Sequence, residues 1–128
     1  MNTKVMFSKK SDLWTTPKDI YEGFIDKGYF DPCPVNPQFD GLKITWEKLC
    51  YVNPPYSQIR VWLEKAISEV EKGNCRKAVF LVPARVDTKW FHELVYNKFN
   101  IQFIKGRLKF GEGTNSAPFP SMWIWIKK

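Results

Sequence analysis

The sequence predicts a single α/β domain: a reduced, mostly parallel central sheet with antiparallel strands at its C-terminal end and helices on both faces. Three observations carry this reading. Short apolar segments at Tyr29–Phe30, Cys50–Val52 and Ala78–Val82 each run into a proline within two residues. Segments with apolar residues three and four apart precede or separate them, and the last quarter of the chain reads as strands joined by turns. Strand and helix alternating in this order imply parallel pairing through right-handed crossovers. At 128 residues the chain has room for one core, so residues 1–128 are expected to form one domain, with 1–12 a flexible N-terminus.

Thr16, Pro17 and Asp19 form a helix-start signal: an N-cap, a proline at the first helical position and an acid in the first turn. Ile20, Tyr21, Phe24 and Ile25 give the stripe of a helix over about 17–27, which Gly28 ends. Tyr29 and Phe30 read as a short strand stopped at Asp31-Pro32, because proline has no N–H for a ladder and forces its predecessor out of helix. Residues 32–48 are irregular, with an extended piece expected around Leu42 to Trp46. Cys50 to Val52 form the next strand, cut off by Asn53-Pro54-Pro55-Tyr56. Ile59, Trp62, Leu63, Ala66, Ile67 and Val70 then mark an amphipathic helix that Gly73 terminates.

Ala78 to Val82 is continuously apolar, the pattern of a strand covered on both faces. Asp87 caps a further helical segment bearing Trp90, Phe91, Leu94 and Val95. Strands are expected at Ile101 to Ile104, Arg107 to Phe110 and Met122 to Ile126, with a turn at Lys105-Gly106 and a Gly-, Ser- and Pro-rich loop between the last two. In such sheets ligands bind beyond the carboxyl ends of the strands, where Asp31, Asn53 and Pro83 fall.

Composition narrows the chemistry. Twenty Lys and Arg against thirteen Asp and Glu give a formal charge of +7, which favours a polyanionic partner, nucleic acid being the commonest, although the same excess also serves solubility. No apolar run is long enough to span a bilayer, and the start lacks a signal peptide's apolar stretch, so no membrane partner and a cytoplasmic location are expected. Cys33, Cys50 and Cys75 have neither Cys-x-x-Cys nor Cys/His spacing, and His92 stands alone, so no metal site, disulfide framework or His-based triad is suggested.

The segment Tyr51-Val52-Asn53-Pro54-Pro55-Tyr56-Ser57 is the most informative. The lone pair of an exocyclic amine such as adenine N6 is delocalised into the ring, and methylation requires it to be localised. The Asn53 side-chain oxygen and the Pro54 carbonyl are placed to accept one amine hydrogen each. Both residues precede a proline and are held extended, while Pro54 and Pro55 offer no competing N–H. Tyr56 adds a flat ring on which a base drawn from the helix can stack. The bland reading is a proline-rich turn whose tyrosine only packs.

At this point the chain resembles the phage-type DNA N6-adenine methyltransferases, the Dam-like family. The resemblance rests on Trp14-Thr15-Thr16-Pro17, Asp31-Pro32-Cys33, Asp40-Gly41-Leu42 with Trp46, Asn53-Pro54-Pro55-Tyr56-Ser57, Asp87-Thr88 with Trp90, Gly106-Arg107-Leu108-Lys109-Phe110, and Ser116-Ala117-Pro118 with Ser121, spanning 13–126. It implies a Rossmann-like methyltransferase fold using S-adenosylmethionine. Catalysis is then assigned to Asn53, Pro54, Pro55 and Tyr56. Asp31, Pro32 and Cys33 stand where the family's first cofactor-binding motif lies, Trp14, Thr15, Thr16 and Pro17 would close over the methionine end, and Asp40 would contact the adenosine. The chain departs from many methyltransferases in lacking a glycine-rich turn after its first strand, and only 22 positions separate Asp31 from Asn53, so a cut-down sheet is expected.

DNA is the expected partner, contacted by Ser57, Arg85, and by Lys105, Arg107 and Lys109, whose alternation would put them on one face of a strand. An ordinary solvated face is the competing reading of that triplet. A separate target-recognition domain has no room, and the protein is expected as a monomer or homodimer. Two alternatives stay open: the same chemistry on RNA or a protein glutamine, and a nucleic-acid-binding module that has lost turnover.

Overall fold

The computed structural model describes residues 14–109 and 116–128. Helix α1 (Lys18–Asp26) is followed by β1 (Leu49–Val52), a 3-10 turn at Tyr56–Gln58, α2 (Ile59–Glu71), β2 (Lys77–Pro83), a π-helical turn at Phe91–Val95, β3 (Asn100–Phe103) and β4 (Ser121–Lys127). The strands form one open sheet in the order β1-β2-β4-β3. β1 pairs with β2 in parallel, Cys50 opposite Ala78 and Val52 opposite Phe80, while β4 lies antiparallel between β2 and β3. β1, β2 and β3 thus run in one direction and β4 against them. The expected mostly parallel sheet holds for strand direction but not for pairing, because inserting β4 leaves one parallel ladder and two antiparallel ones.

Period-2 alternation divides the sheet's side chains between two layers. Cys50, Val52, Ala78, Phe80, Val82, Met122, Ile124 and Ile126 pack with Ile59, Trp62, Leu63, Ala66 and Val70 of α2. On the opposite face Tyr51 and Leu81 meet Tyr21 and Phe24 of α1, and Trp123. β2 is buried on both faces and between two neighbours, which is why its sequence is apolar without alternation. α1 contributes no fully buried residue, so it is held by aromatic contacts, Phe24 stacking on Tyr51 at 4.6 Å between centroids. Gly28, at φ +87°, ends α1 and sends the chain toward β1.

Several expectations are corrected. Tyr29–Phe30 is not a full strand: Phe30 makes a single parallel bridge to Cys50, through Phe30 N to Leu49 O at 2.8 Å and Tyr51 N to Phe30 O at 2.9 Å, before Pro32 removes the next donor. Leu42 to Trp46 is a turn and loop rather than an extended piece, since Asp40 binds Leu42 N through its carboxylate and Lys43 N through its carbonyl. The segment after Asp87 is a short helical turn ending in the π-helical stretch. Residues 104–109 do not form a strand: Ile104 N bonds Ser121 O at 3.0 Å, Gly106 turns the chain at φ +78°, and Ile104 and Leu108 tuck inward. The alternating strand face expected for Lys105, Arg107 and Lys109 therefore does not exist, although all three are exposed. Phe110 and the expected flexible segment 1–12 lie outside the described residues.

Thr16 does not cap α1. Pro17 occupies the cap position and the helix begins at Lys18, with no side-chain hydrogen bond to its first turn. The Thr16 hydroxyl is engaged elsewhere, as described below. No helix among the described residues is long and apolar enough to cross a membrane.

Candidate active site

The carboxyl end of β1, the Phe30 bridge beside it and the segment leading into α1 converge on Asn53. This carboxamide has a defined orientation. Its Nδ2 donates to the Trp14 carbonyl oxygen and, at 3.1 Å, to Thr16 Oγ1, and Thr16 Oγ1 lies 2.6 Å from the Tyr51 hydroxyl. Both amide protons are thereby used. The Asn53 Oδ1 is buried and has no hydrogen-bond partner among the described residues. A buried acceptor left unmatched costs about 1–3 kcal/mol, so it marks a place where an external donor would be welcome.

The rest of the Asn-Pro-Pro-Tyr segment is rigid. Pro54 is buried, Pro55 is extended at φ −57° and ψ 132°, and its carbonyl accepts Gln58 N at 2.9 Å to start the 3-10 turn. Tyr56 is only 6 % exposed. Phe119 meets its ring edge-on at 5.5 Å and the Arg85 guanidinium stands 6.0 Å from its centroid, so the stacking face expected to be open is covered. Burial pushes the Tyr56 hydroxyl up, with Arg85 pulling the other way. Phe119 also contacts Trp14 edge-to-face at 5.1 Å, so Phe119 and Trp14 form a continuous aromatic cover beside Asn53 and Tyr56. Ser57 is exposed at the start of the turn. Thr15 is exposed too.

The candidate cofactor residues divide. Asp31, at the end of the Phe30 bridge, accepts Cys33 N at 2.8 Å and shares a hydrogen bond with Tyr21. Burial pushes its carboxyl up to about 6, against the pull of those two donors, and the same proximity helps push Tyr21 up to about 12 after desolvation. Among the described residues no cation pairs with Asp31. Burial likewise pushes the Cys33 thiol up, keeping it protonated. Pro32 is pressed against Gly41: a Cβ at 41 would lie 1.8 Å from the Pro32 carbonyl oxygen. The loops carrying Asp31 and Asp40 are therefore locked together, although Asp40 itself is exposed.

That junction is anchored from behind. Trp46 Nε1 donates to Gly41 O at 2.8 Å, and Trp46 N donates to the buried Glu69 at 2.7 Å. Burial alone would raise the Glu69 carboxyl, but the Trp46 amide, Lys65 and Asn74 together hold it below the usual range. Cavities of about 450 and 790 Å³ open at the opposite end of the strands, where β1 and β2 begin, beside Glu47 to Leu49 and Arg76 to Lys77 and away from Asn53. Among the described residues no cluster of three or more His, Cys, Asp or Glu is placed to hold a metal.

Lys105, Arg107 and Lys109 do not join the Asn53 cluster by any contact described here; Arg85 does, through Tyr56. Sequence reasoning missed Tyr51 and Phe119. A tyrosine inside the apolar run Cys50-Tyr51-Val52 was the available signal, because a buried phenol needs a partner for its hydroxyl. Phe119, between two prolines in an irregular loop, carried no comparable signal.

An α/β sheet that presents an oriented, unsatisfied carboxamide oxygen at a strand's carboxyl end offers an acceptor to an amine or amide donor. Comparison with known proteins makes the class specific. The family profile described as DNA N-6-adenine-methyltransferase (Dam) matches residues 32–121. A DNA N-6-adenine-methyltransferase of Haemophilus phage HP1 (strain HP1c1) is 30% identical over 140 residues, covering 91% of this chain and 80% of that protein. A DNA N-6-adenine-methyltransferase of Escherichia phage T1 is 30% identical over 112 residues, covering 76% of this chain and 46% of that protein. The chain belongs to the DNA N-6-adenine-methyltransferase (Dam) family.

Proposed function

We propose that the protein methylates N6 of adenine in DNA, with S-adenosylmethionine as donor and Asn53 and Pro54 as the groups that prepare the amine. The reaction class follows from family membership. The observation that carries the residue assignment is the Asn53 carboxamide, whose nitrogen is tied down on both N–H bonds while its buried oxygen has no partner among the described residues. An adenine amino group supplies the missing donor. Accepting one hydrogen at Asn53 Oδ1 and the other at the Pro54 carbonyl draws the N6 lone pair out of conjugation and holds it in one direction, a task that needs rigid acceptors.

Tyr56 supports the base once it leaves the duplex, and the edge-on ring of Phe119 occupies the space the base takes. Entry therefore displaces Phe119, and Arg85 stays close enough to meet the flanking phosphate. Residues 105, 107 and 109 add exposed positive charge suited to the DNA backbone. When bound, S-adenosylmethionine supplies the methyl group as a sulfonium. The donor set suits it: Asp31 is a half-buried carboxylate with no cation paired to it among the described residues, matched to the amino-acid ammonium, and Trp14, Thr15 and Pro17 with Cys33 line its approach, while the Thr16 hydroxyl is engaged with Tyr51 and Asn53. The fold reading that accompanies this is a reduced Rossmann-like methyltransferase sheet, supported by three co-directional strands and a reversed β4.

The test is transfer of labelled methyl from S-adenosylmethionine to unmethylated DNA, with RNA and protein acceptors alongside. Wild type is expected to label DNA at adenine N6, and Asn53→Ala to lose about 10²–10³-fold in kcat while unfolding as wild type does. Labelling that survives unchanged in Asn53→Ala refutes the assignment.

A further inference from the structure

We propose that Thr16 and Tyr51 are positioning residues that determine which way the Asn53 carboxamide faces. The inference rests on the catalytic reading of Asn53 and deepens it. A carboxamide has two donor hydrogens and one acceptor oxygen, and only one of its two orientations leaves the oxygen for substrate. The Trp14 carbonyl can only accept, so it admits Nδ2 and repels Oδ1. It satisfies one amide hydrogen. Thr16 Oγ1, at 3.1 Å, satisfies the other.

A threonine hydroxyl rotates and can serve as donor or acceptor, so by itself it is an undecided partner. Tyr51 removes that freedom when the threonine donates to it, because the Thr16 oxygen is then left only to accept from Asn53. Its hydroxyl sits 2.6 Å from Thr16 Oγ1 in a fully buried setting, on a ring clamped between Phe24 and Tyr21. The chain Tyr51–Thr16–Asn53 thus links the core of β1 to the carboxamide one turn of the strand pleat away. Tyr51 and Asn53 are two apart on an extended segment and point to the same side, which is why one threonine reaches both.

This accounts for two otherwise separate facts. Thr16 stands where a helix cap would be expected yet gives α1 no side-chain bond, and Tyr51 places a polar group within an apolar strand. Both costs are explained if the hydroxyls are committed to Asn53. Loss of the Thr16 hydroxyl would strand one amide hydrogen and lower the barrier to turning the carboxamide over.

The experiment compares Thr16→Val, Thr16→Ser and Tyr51→Phe by steady-state methyl transfer to DNA, each also in an Asn53→Ala background. Thr16→Val keeps shape but removes the hydroxyl; it is expected to lower kcat about 10–100-fold with both KM values within about twofold. Thr16→Ser is expected to retain activity within about threefold, and Tyr51→Phe to lose about fivefold. In Asn53→Ala, Thr16→Val is expected to have no further effect, as residues acting through one group are not additive. In ¹⁵N NMR the two Asn53 side-chain protons are expected to exchange slowly with water in wild type and to lose protection in Thr16→Val. Full kcat in Thr16→Val, a rise confined to the S-adenosylmethionine KM, equal losses in Thr16→Ser and Thr16→Val, or additivity with Asn53→Ala overturns the inference. Should Asn53→Ala alone keep full activity, the parent reading fails instead.

Discussion

Substituting Gly41 by alanine tests whether the two loops that carry Asp31 and Asp40 form one unit. The added methyl carbon would lie 1.8 Å from the Pro32 carbonyl oxygen, 2.8 Å from its carbonyl carbon and 2.8 Å from Trp62 Cη2. Reaching even 3.0 Å of separation parts the two backbones by about 1.2 Å. Neither side is slack. Pro32 follows the bridge of Phe30 to β1 and the Asp31 turn, and Gly41 is held by Trp46, which is itself tied to Glu69. Overpacking of this kind costs about 1–3 kcal/mol, and contact with backbone on one side and a buried indole on the other argues for the upper end, about 3 kcal/mol. With an unfolding entropy of about 2.1 cal/mol/K per residue over 128 residues, this lowers Tm by roughly 11 °C. Thermal unfolding followed by tryptophan fluorescence measures the shift, and calorimetry with S-adenosylhomocysteine measures the accompanying loss of affinity expected as Asp31 and Asp40 move apart. A Tm within about 2 °C of wild type would show that the loops are not locked, and the argument for a joined cofactor cradle would fall with it.

Two further outcomes are expected. Asp31 has a folded pKa of about 6, above its unfolded value, so its ionisation works against folding: the associated stability is present below about pH 4 and is lost as pH rises through about 6. Asp31→Asn, which cannot ionise, should therefore gain stability relative to wild type at pH 7 by about 1–2 kcal/mol in urea unfolding and lose that advantage near pH 4, while its S-adenosylhomocysteine affinity falls; a pH-independent difference between the two proteins would contradict the buried-carboxyl account. Phe119→Ala removes edge contacts with Tyr56 and Trp14 and should raise the fluorescence of 2-aminopurine placed at the methylated position of a DNA duplex by about twofold or more, since the space a flipped base needs is vacated. An unaltered signal would mean that Phe119 does not occupy the base position.

Several elements were legible before any coordinates because their causes are local. Apolar periodicity defined α2, which spans Ile59–Glu71 and buries Ile59, Trp62, Leu63, Ala66 and Val70. Continuous apolarity marked β2 as covered on both faces, and Pro54 ended β1 by removing the next ladder donor, whereas Pro83 lies inside β2 opposite Ser121 and Ala84 N still bonds Pro120 O at 2.9 Å. The strand not formed at 107–109 and the shortened one at Phe30 failed for a different reason: strand formation needs a partner at the right register, which alternation in one segment does not specify.

The sequence by itself determined the long helix α2 and the doubly covered strand β2, and pointed to an asparagine set between a strand and two prolines as the candidate chemical centre, because backbone propensity and proline stereochemistry act over a few residues. Only the tertiary structure decided which way that asparagine faces. Its orientation depends on Trp14, Thr16 and Tyr51, two of them 37 or more positions away in the chain, and on hydrogen-bond donors and acceptors that meet only once α1 packs on the sheet. The same holds for Phe119 over Tyr56 and for the Pro32–Gly41 contact: each is a matter of distance between loops, and distance between loops is set by the core beneath them.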